Sequence, residues 1–481
     1  MKSILSLVLA GTLASSLVCA QNFTETNTDK AKEIIAAAVE AHGGSKLVDD
    51  LHTLIIENKD VNYSVGQSRG TEPPWDKNDA TGVSVLDLDN SVFVNDSHNS
   101  GGGFVGHNAT IINGDDSFQI NYRAGTVSKI AEPDFATTSG PFVRVTPALL
   151  VRTLNDRSAN AHYLGDTAIN GVTYDVVGFS MTVGPAISMY FDRETHLLRR
   201  SERVFPGFGL VEYRFDDYKV ADGMPFNKNF TLHLNGDVNL ERSNVSMKIN
   251  APVDDYLKVD AKLVTMPEVQ PDTLSRQEIS DGVWLIGGTG TYAMFVDMGD
   301  YIFAAGGTAG IPERIELLRE VVGDKSIRYA MMTHHHFDHV LGVSAYETEG
   351  ATILAATAHE KVIRDAAENG DALQFTAVKE RMTLESADRR VDVIDIGPTA
   401  HTEHLLVAYL PDEGILFEGD HFAMPRVGPP PPAVPSTQTF AEALARLELD
   451  VTKFVSAHSS RVGSKEDLKA ALEAEVFQAG R

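Results

Sequence analysis

The residues with the clearest chemical meaning lie in the run Thr333-His334-His335-His336-Phe337-Asp338-His339, which reads H-x-H-x-D-H. Residues 327–332 before it are apolar and predict a buried strand that leads into a loop. In an extended loop, His334 and His336 project to the same side and can bind one ion, while Asp338 and His339 lie beside it, placed for a second. Imidazole nitrogens and carboxylate oxygens suit borderline cations such as zinc. The motif therefore predicts a metal site.

Further side chains of ligand type stand just past other predicted strands. His401 follows strand 391–396 and a short turn, Asp420 closes strand 415–419, and His458 follows strand 454–457. In layered α/β proteins the loops after strand ends gather on one face, so we expect these side chains to join the histidine motif.

Nearby histidines have open roles. We expect His335 to point away from the metals, and His404 and His421 to support the ligands or face solvent, with donation to substrate as the alternative. The proline-rich stretch 425–435 either shapes substrate access or is a rigid connector.

The elements that must position these residues form a layered α/β region. Apolar strands at 283–286, 301–304, 327–332 and 353–356 alternate with helices at 312–322 and 360–367. Phe440, Leu444 and Leu447 form the core stripe of a later helix. Residues 251–275 lose all periodicity and contain prolines, so a domain boundary is placed there.

The preceding half of the chain has a different period. A helix at 31–42 ends at Gly43-Gly44, and apolar residues then alternate with polar ones up to about residue 250. Asn113-Gly114 and Asn170-Gly171 predict tight hairpin turns, because both central positions of such turns need a positive φ. This pattern predicts a large, curved antiparallel sheet.

Composition excludes several classes of protein. The chain has 481 residues, of which 43% are hydrophobic, so it folds around real cores. Its formal charge of −26, without a block of Lys or Arg, argues against nucleic acid or an anionic membrane as partner and mildly disfavours polyanionic substrates. Cys19 is the only cysteine, which excludes a disulfide framework and a cysteine-based zinc site.

The first residues predict a secretory signal. Lys2 precedes an apolar stretch at 4–18, and Val18-Cys19-Ala20 offers small residues where a signal peptidase cleaves. We therefore expect residues 1–20 to be removed and the protein to be periplasmic or secreted, without a transmembrane segment after signal removal.

The C-terminal motifs resemble the metallo-β-lactamase fold superfamily over about residues 276–470. Ser280-Asp281-Gly282-Val283-Trp284-Leu285-Ile286 is similar to that family's first strand, and Gly397-Pro398-Thr399-Ala400-His401-Thr402 to its third motif. The resemblance implies an αβ/βα sandwich with the site at one edge. It also implies a first metal held by His334, His336 and His401, a second held by Asp338, His339 and His458, and Asp420 bridging both.

The sequence departs from the family pattern in informative places. Asp420 stands where true β-lactamases of this fold use Cys or Ser, and His336 stands where diiron flavoproteins carry Glu. Phe303-Ala304-Ala305-Gly306-Gly307 lacks the acid that usually supports the site. Antibiotic cleavage and the redox branch are therefore disfavoured, and a hydrolase of ester, lactone, thioester or sulfate-ester bonds is favoured.

The β-rich half contains a stretch, from Tyr190-Phe191-Asp192 to Asp222-Gly223-Met224-Pro225-Phe226, that resembles half-barrel domains of periplasmic lipoprotein carriers. That resemblance implies a concave apolar surface, with a purely structural module as the alternative. The predicted class is α/β: an antiparallel β-rich domain at 21–272, followed by a metallo-β-lactamase-type sandwich at 273–481.

The sequence thus predicts an exported hydrolase in which two zinc ions acidify a water molecule that Asp338, the catalytic residue, orients. Iron or manganese are alternatives to zinc, and the substrate is a small molecule, hydrophobic ones included. Two other functions stay open. One is a mononuclear iron persulfide-type dioxygenase, and the other is a non-catalytic periplasmic carrier of lipid or another ligand with a zinc site. The sequence does not define the oligomeric state.

Overall fold

The structure is a computed structural model that describes residues 23–206, 209–267, 272–386 and 389–478. The predicted signal peptide at 1–20 lies outside these residues. Within the described ranges, the helices all fall short of the length or apolar character that crossing a membrane requires.

The N-terminal half forms a 14-stranded sheet in which most strands pair with their neighbours in sequence. Its strands are β1 Thr53–Tyr63, β2 Lys77–Asp87, β3 Val92–Gly101, β4 Phe104–Ile112, β5 Phe118–Asn121, β6 Thr126–Lys129, β7 His162–Ile169, β8 Val172–Phe179, β9 Ile187–Asp192, β10 Leu198–Phe205, β11 Gly209–Ala221, β12 Met224–Leu234, β13 Asp237–Ile249 and β14 Val264–Thr265. The pairing is antiparallel throughout the meander, with β1 also beside β13, and β14 runs parallel to β6. An antiparallel β-rich domain is therefore present, as predicted.

Helices pack on one face of this sheet. They are α1 Phe23–Ala41, α2 Ser45–Val48, α3 Phe135–Arg144 and α4 Pro147–Asp156. Ile34 and Ile35 of α1 and Leu150 of α4 join Phe191 and Phe215 of the sheet in one buried cluster. Strands such as β9 alternate between buried and part-exposed residues because only one of their faces meets this core.

The two predicted hairpin turns differ. Asn170 and Gly171 have φ of 51° and 83° and form the tight turn between β7 and β8, as predicted. The prediction for Asn113-Gly114 is wrong, because a longer turn joins β4 to β5 there. In that turn the Ser117 hydroxyl accepts a hydrogen bond from the Asn113 amide at 2.8 Å, which draws Ser117 into the connection.

The C-terminal half contains a 7-stranded and a 6-stranded sheet. The first comprises β15 Ser275–Ser280, β16 Val283–Gly288, β17 Thr291–Asp297, β18 Ile302–Ala305, β19 Ile327–Met331, β20 Thr352–Ala356 and β21 Phe375–Val378. The second comprises β22 Arg381–Glu385, β23 Arg390–Asp395, β24 Leu406–Leu410, β25 Ile415–Glu418, β26 Lys453–Ser456 and β27 Gly463–Ser464. Helices of this half are α5 Ile311–Val322, α6 Val343–Thr348, α7 Glu360–Ala366, α8 Pro435–Arg446 and α9 Lys465–Glu473.

Buried clusters define the layers of this half. Phe303 of the first sheet and Phe417 of the second share a core between the sheets. Ile315 of α5 packs on the outer face of the first sheet, and Phe440 of α8 packs on the outer face of the second. The order helix, sheet, sheet, helix confirms the predicted αβ/βα sandwich behind an antiparallel β domain. The strands of the 14-stranded sheet all precede residue 272, and those of the other two sheets all follow it. The exact domain boundary at residue 272 stays a prediction.

His42, just after α1, gives the N-terminal domain a pH-dependent stability. Its buried ring donates from Nδ1 to the Ala38 carbonyl oxygen at 2.8 Å and accepts the Leu198 amide at Nε2. Burial lowers the pKa of His42 from 6.5 to about 4, so protons bind the unfolded chain more readily. Its contribution to stability is present above pH 6.5 and is lost as the pH falls towards 4.

We therefore expect His42→Gln to flatten part of the acid sensitivity of folding. Between pH 7 and pH 4.5 the wild type should lose about 2 kcal/mol more unfolding free energy than the variant. Urea unfolding at both pH values measures this difference, and effects of other groups cancel in the comparison. Equal losses in the two proteins would contradict the role of His42.

Candidate metal centre

The site lies where several strands of the sandwich end. The histidine motif follows β19, and its second half, Phe337–His339, forms one turn of 3₁₀ helix. Asp420 follows β25, and His458 follows β26. Because β25 and β26 pair in parallel, their carboxyl ends lie side by side and bring these two residues together.

The structure brings all the predicted metal ligands into two adjoining groups of potential ligand atoms. The first contains His334, His336, His401 and Asp420. The second contains Asp338, His339 and His458, and Asp420 also contacts two of its members. Residues far apart in the chain therefore converge on one carboxylate.

In the first group, ring nitrogens surround one oxygen of Asp420. His401 Nε2 lies 2.8 Å from Asp420 Oδ2, and His334 Nε2 lies 3.1 Å from the same atom. His334 Nε2 nevertheless has no partner with hydrogen-bond geometry among the described residues, and neither does His336 Nδ1. Buried nitrogens in native proteins are normally paired, so these atoms call for a ligand.

In the second group, the other oxygen of Asp420 is shared. His339 Nε2 lies 2.9 Å and His458 Nε2 2.6 Å from Asp420 Oδ1, and the two nitrogens are 3.1 Å apart. Asp338 Oδ2 lies 3.5 Å from His339 Nε2. Each oxygen of Asp420 thus faces one group, which is the arrangement of a carboxylate that bridges two cations.

Hydrogen bonds on the far sides of the rings fix which nitrogen faces the centre. His336 Nε2 donates to the Ser68 carbonyl oxygen at 2.9 Å, and His401 Nδ1 donates to that of Gly102 at 2.6 Å. His458 Nδ1 lies 3.3 Å from the Gly290 carbonyl oxygen. Since the rings of His336 and His401 each donate a proton to a carbonyl oxygen, the opposite nitrogen of the neutral ring has a lone pair for a metal.

The Thr333 hydroxyl orients two imidazole rings at once, those of His334 and His339. Its hydroxyl oxygen lies 3.1 Å from His334 Nδ1 and 3.3 Å from His339 Nδ1. A hydroxyl oxygen has two lone pairs and can accept both N–H groups. Both Nε2 atoms then face Asp420.

The electrostatics are those of a centre that needs positive charge. Burial would raise the pKa of the Asp420 carboxyl, but the charge of His339 and the contact with His334 hold that pKa well below its usual range. Burial, with the neighbouring imidazoles, lowers the pKa of His334 and of His336, which keeps them neutral. Burial also opposes the charging of His458, yet Asp420 raises its pKa to about 9.

These observations fit a bound metal. Neutral, buried imidazoles with unpaired nitrogens and an ionised carboxylate are the donor set of a transition-metal site. Metal ions would satisfy His334 Nε2 and His336 Nδ1, which lack partners in the described chain. The side chains of Asp338 and His458 are 34% and 28% exposed, whereas His334 and His339 are fully buried. The centre therefore opens to solvent beside Asp338 and His458.

The flanking histidines lie outside both ligand groups. His335 is buried and donates from Nε2 to the Gly70 carbonyl oxygen at 3.1 Å. His404 Nδ1 contacts Asp395 at 2.7 Å, and His421 Nε2 contacts the Thr399 hydroxyl at 2.9 Å. They hold neighbouring loops in place.

The proline-rich stretch is tied to the N-terminal domain and then enters α8. Arg123 donates to the carbonyl oxygens of Pro432 at 3.3 Å and Ala433 at 3.2 Å. This anchoring suits a rigid connector and leaves a role in substrate access open.

The loop that lacks the family acid packs closely against the metal motif. At Gly307 an added Cβ would lie 2.2 Å from Met332 Sδ and 2.5 Å from the His339 carbonyl oxygen. A side chain of any size at this position would push the metal motif away. The ligands are oriented by Thr333 and by backbone carbonyls instead.

Sequence reasoning missed Thr333, Ser68, Gly102 and Gln67 as parts of the site. Gln67 donates from Nε2 to Asp338 Oδ1 at 2.8 Å. Backbone carbonyls carry no side-chain signature. The glycine run at 101–103 was the available signal, because such runs mark close backbone approach.

A third group of potential ligands, Asp96, His98 and His107, lies on strands β3 and β4. The imidazole rings of His98 and His107 are stacked, with centroids 3.5 Å apart and planes at 25°. Ring lone pairs lie in the ring plane, so near-parallel rings do not aim at one point. This group differs in that respect from the two groups around Asp420.

Comparison with known proteins bears on the C-terminal region. Residues 266–458 match the family described as the metallo-beta-lactamase superfamily. The resemblance predicted for this region is thereby confirmed. No curated protein matches the chain.

Solved structures of low sequence identity are similar to part of the chain. A metallo-beta-lactamase from Pontibacter korlensis is 19% identical with a TM-score of 0.34, over 42% of this chain and 97% of its own. The metallo-beta-lactamase FIM-1 from Pseudomonas aeruginosa is 20% identical with a TM-score of 0.33, over 43% and 95%. The flavodiiron protein from Giardia intestinalis is 16% identical with a TM-score of 0.33, over 42% and 58%.

The shared position of Asp420 predicts that one substitution weakens the whole centre. We expect Asp420→Asn to lower metal affinity by more than the roughly 10–100-fold that loss of a supporting residue costs. Elemental analysis after dialysis against a chelator measures the metal retained per chain. Asp450→Asn, which changes an exposed carboxylate, is the control and should retain wild-type metal. Equal retention in both variants would rule out ligation by Asp420.

Proposed function

We propose that the protein is a metal-dependent hydrolase that cleaves an ester, lactone or related bond of a small molecule, with zinc as the metal. The observation that carries the proposal is the pair of ligand groups that share Asp420, one facing each carboxylate oxygen. The superfamily match of residues 266–458 supports it.

The ligand atoms divide between two ions. His334, His336 and His401 would hold the first, and Asp338, His339 and His458 the second, with Asp420 contributing to both. Bound zinc would polarise the scissile group and lower the pKa of water towards neutrality. The absence of thiolates in the ligand set and the exposure of Asp338 support an open, catalytic centre over a closed structural one.

Asp338 would transfer protons on the solvent-exposed side of the centre. Its Oδ1 accepts a hydrogen bond from the side-chain amide of Gln67, so the carboxylate is held in one orientation. From there it can accept a proton from the attacking water and return it to the leaving group. His334 and His339, which are fully buried, exclude water from the opposite side.

Apolar surface beside the centre supports a substrate with a hydrophobic part. The Phe104 ring packs edge-on against His401, with centroids 5.1 Å apart, and is 38% exposed. The formal charge of −26 disfavours polyanions.

The alternatives fit less of the site. A mononuclear iron dioxygenase would need only the first group with Asp338, which leaves the close pair His339 and His458 without a purpose. A lipid carrier would use an apolar face of the large sheet, and α1, α3 and α4 already cover one such face. Export rests on the apolar stretch at 4–18, which lies outside the described residues.

Asp338 provides the direct test of hydrolysis. We expect Asp338→Ala to lower kcat by about 10²–10⁴-fold, because a positioned proton carrier is lost, while the far-ultraviolet circular dichroism stays unchanged. The assay is a panel of chromogenic ester, lactone, phosphodiester, sulfate and β-lactam substrates with zinc-loaded protein. Asp324→Ala, at a fully exposed carboxylate, is the matched control.

The outcomes separate the candidate functions. Hydrolysis of one substrate class by the wild type and its loss in Asp338→Ala support the proposal. Iron in protein purified without added metal, with oxygen uptake on a persulfide, would establish the dioxygenase instead. Wild-type rates with only one ion bound would refute the two-ion scheme.

A further inference from the structure

The segment between β1 and β2 reaches out of the N-terminal domain and lies against the metal motif. Gln67 Nε2 donates to Asp338 Oδ1 at 2.8 Å, and the Ser68 carbonyl oxygen accepts from His336 Nε2 at 2.9 Å. Glu403, close to the ligand His401, donates its amide to the Arg69 carbonyl oxygen at 3.0 Å. One short stretch of the β domain therefore touches two of the loops that carry candidate metal ligands.

This segment is rigidly held before it meets the centre. The buried Ser68 hydroxyl donates to the Ser64 carbonyl oxygen at 2.9 Å and accepts the Asp76 amide at 2.8 Å. Asp76 Oδ2 accepts the Arg69 amide, also at 2.8 Å. The Gln67 backbone amide donates to the Ser64 carbonyl oxygen at 2.9 Å. These bonds preorganise the backbone that carries the Gln67 side chain.

The hairpin between β3 and β4 approaches from the same domain. Besides the Gly102 contact with His401, the Gly103 carbonyl oxygen accepts the Ser436 amide at 2.9 Å. A Cβ at Gly103 would lie 3.0 Å from the Ala400 carbonyl carbon, so the backbones are in close contact. The two domains thus meet at the metal centre itself.

Gln67 supplies a contact to a member of the second ligand group that a side-chain substitution removes, whereas the backbone carbonyl contacts cannot be removed in this way. By holding Asp338 Oδ1, it leaves Oδ2 directed at His339 Nε2 and His458 Nε2, at 3.5 and 3.8 Å. Asp338 is the most exposed member of the second ligand group. Without Gln67, its carboxylate would rotate and bond to water. The neutral side-chain amide of Gln67 fixes the Asp338 carboxylate without adding a charge to the site.

We propose that the N-terminal domain completes the metal centre and that Gln67 is a positioning residue that holds Asp338 in the orientation that binds the second metal. The inference rests on the proposed function, because it assigns Gln67 a role in the same two-ion site.

The test is metal titration of the full-length protein with Gln67→Ala. Cobalt(II) is added to metal-free protein in competition with a chromophoric chelator, and the visible absorption of bound cobalt is recorded. We expect the second ion to bind about 10–100-fold more weakly, with a changed spectrum, while the affinity for the first ion is unchanged. Gln119→Ala removes the same side chain from an exposed strand pair of the same domain and should behave as wild type.

Three results would contradict the expectation, and each has a different meaning. If Gln67→Ala binds both ions with wild-type affinities and spectrum, Gln67 does not position Asp338, and the inference is overturned while the hydrolase proposal stands. If the wild type binds no second ion, the two-ion proposal itself fails. If affinity for both ions falls equally and thermal unfolding shifts as well, Gln67 serves domain stability and not Asp338.

Discussion

The Asp420 carboxylate is the interaction on which the rest of the centre depends. It is enclosed by His334 and His401 on one oxygen and by His339 and His458 on the other. A buried carboxylate is stable only where positive charge meets it. The neighbouring histidines hold the pKa of Asp420 well below its usual range, and in the loaded protein two cations would supply further positive charge. The ligand loops must therefore stay assembled around Asp420 whichever charge is present.

The sandwich supplies that assembly by ending its strands at one edge. The parallel pair β25 and β26 fixes Asp420 beside His458, and β19 delivers the histidine motif from the facing sheet. Inner strands such as β16 and β25 are buried on both faces, and the core between the sheets prevents them from sliding. Rigid strand ends place short loops accurately, which a site assembled from distant segments requires.

Much of this was predictable from sequence, and the rest was not for physical reasons. The H-x-H-x-D-H motif and the strands before His401, Asp420 and His458 are readable because ligand chemistry and apolar periodicity leave marks in the sequence. The contacts from Ser68 and Gly102 leave none, because any residue offers a carbonyl oxygen. At Asn113 the sequence indicated a two-residue turn, but the connection runs on to Ser117, whose hydroxyl accepts the Asn113 amide.

Those backbone contacts change how the N-terminal domain is understood. A carbonyl oxygen cannot be removed by changing its side chain, so the tautomers of His336 and His401 depend on where the loops of the β domain lie. If the domains separated, each ring could carry its proton on either nitrogen, and the nitrogen that faces Asp420 would no longer be fixed. Docking of the domains and ordering of the metal ligands are then one event. The loops of the β domain thus contribute hydrogen bonds that orient His336 and His401, whereas α1, α3 and α4 cover one face of its sheet.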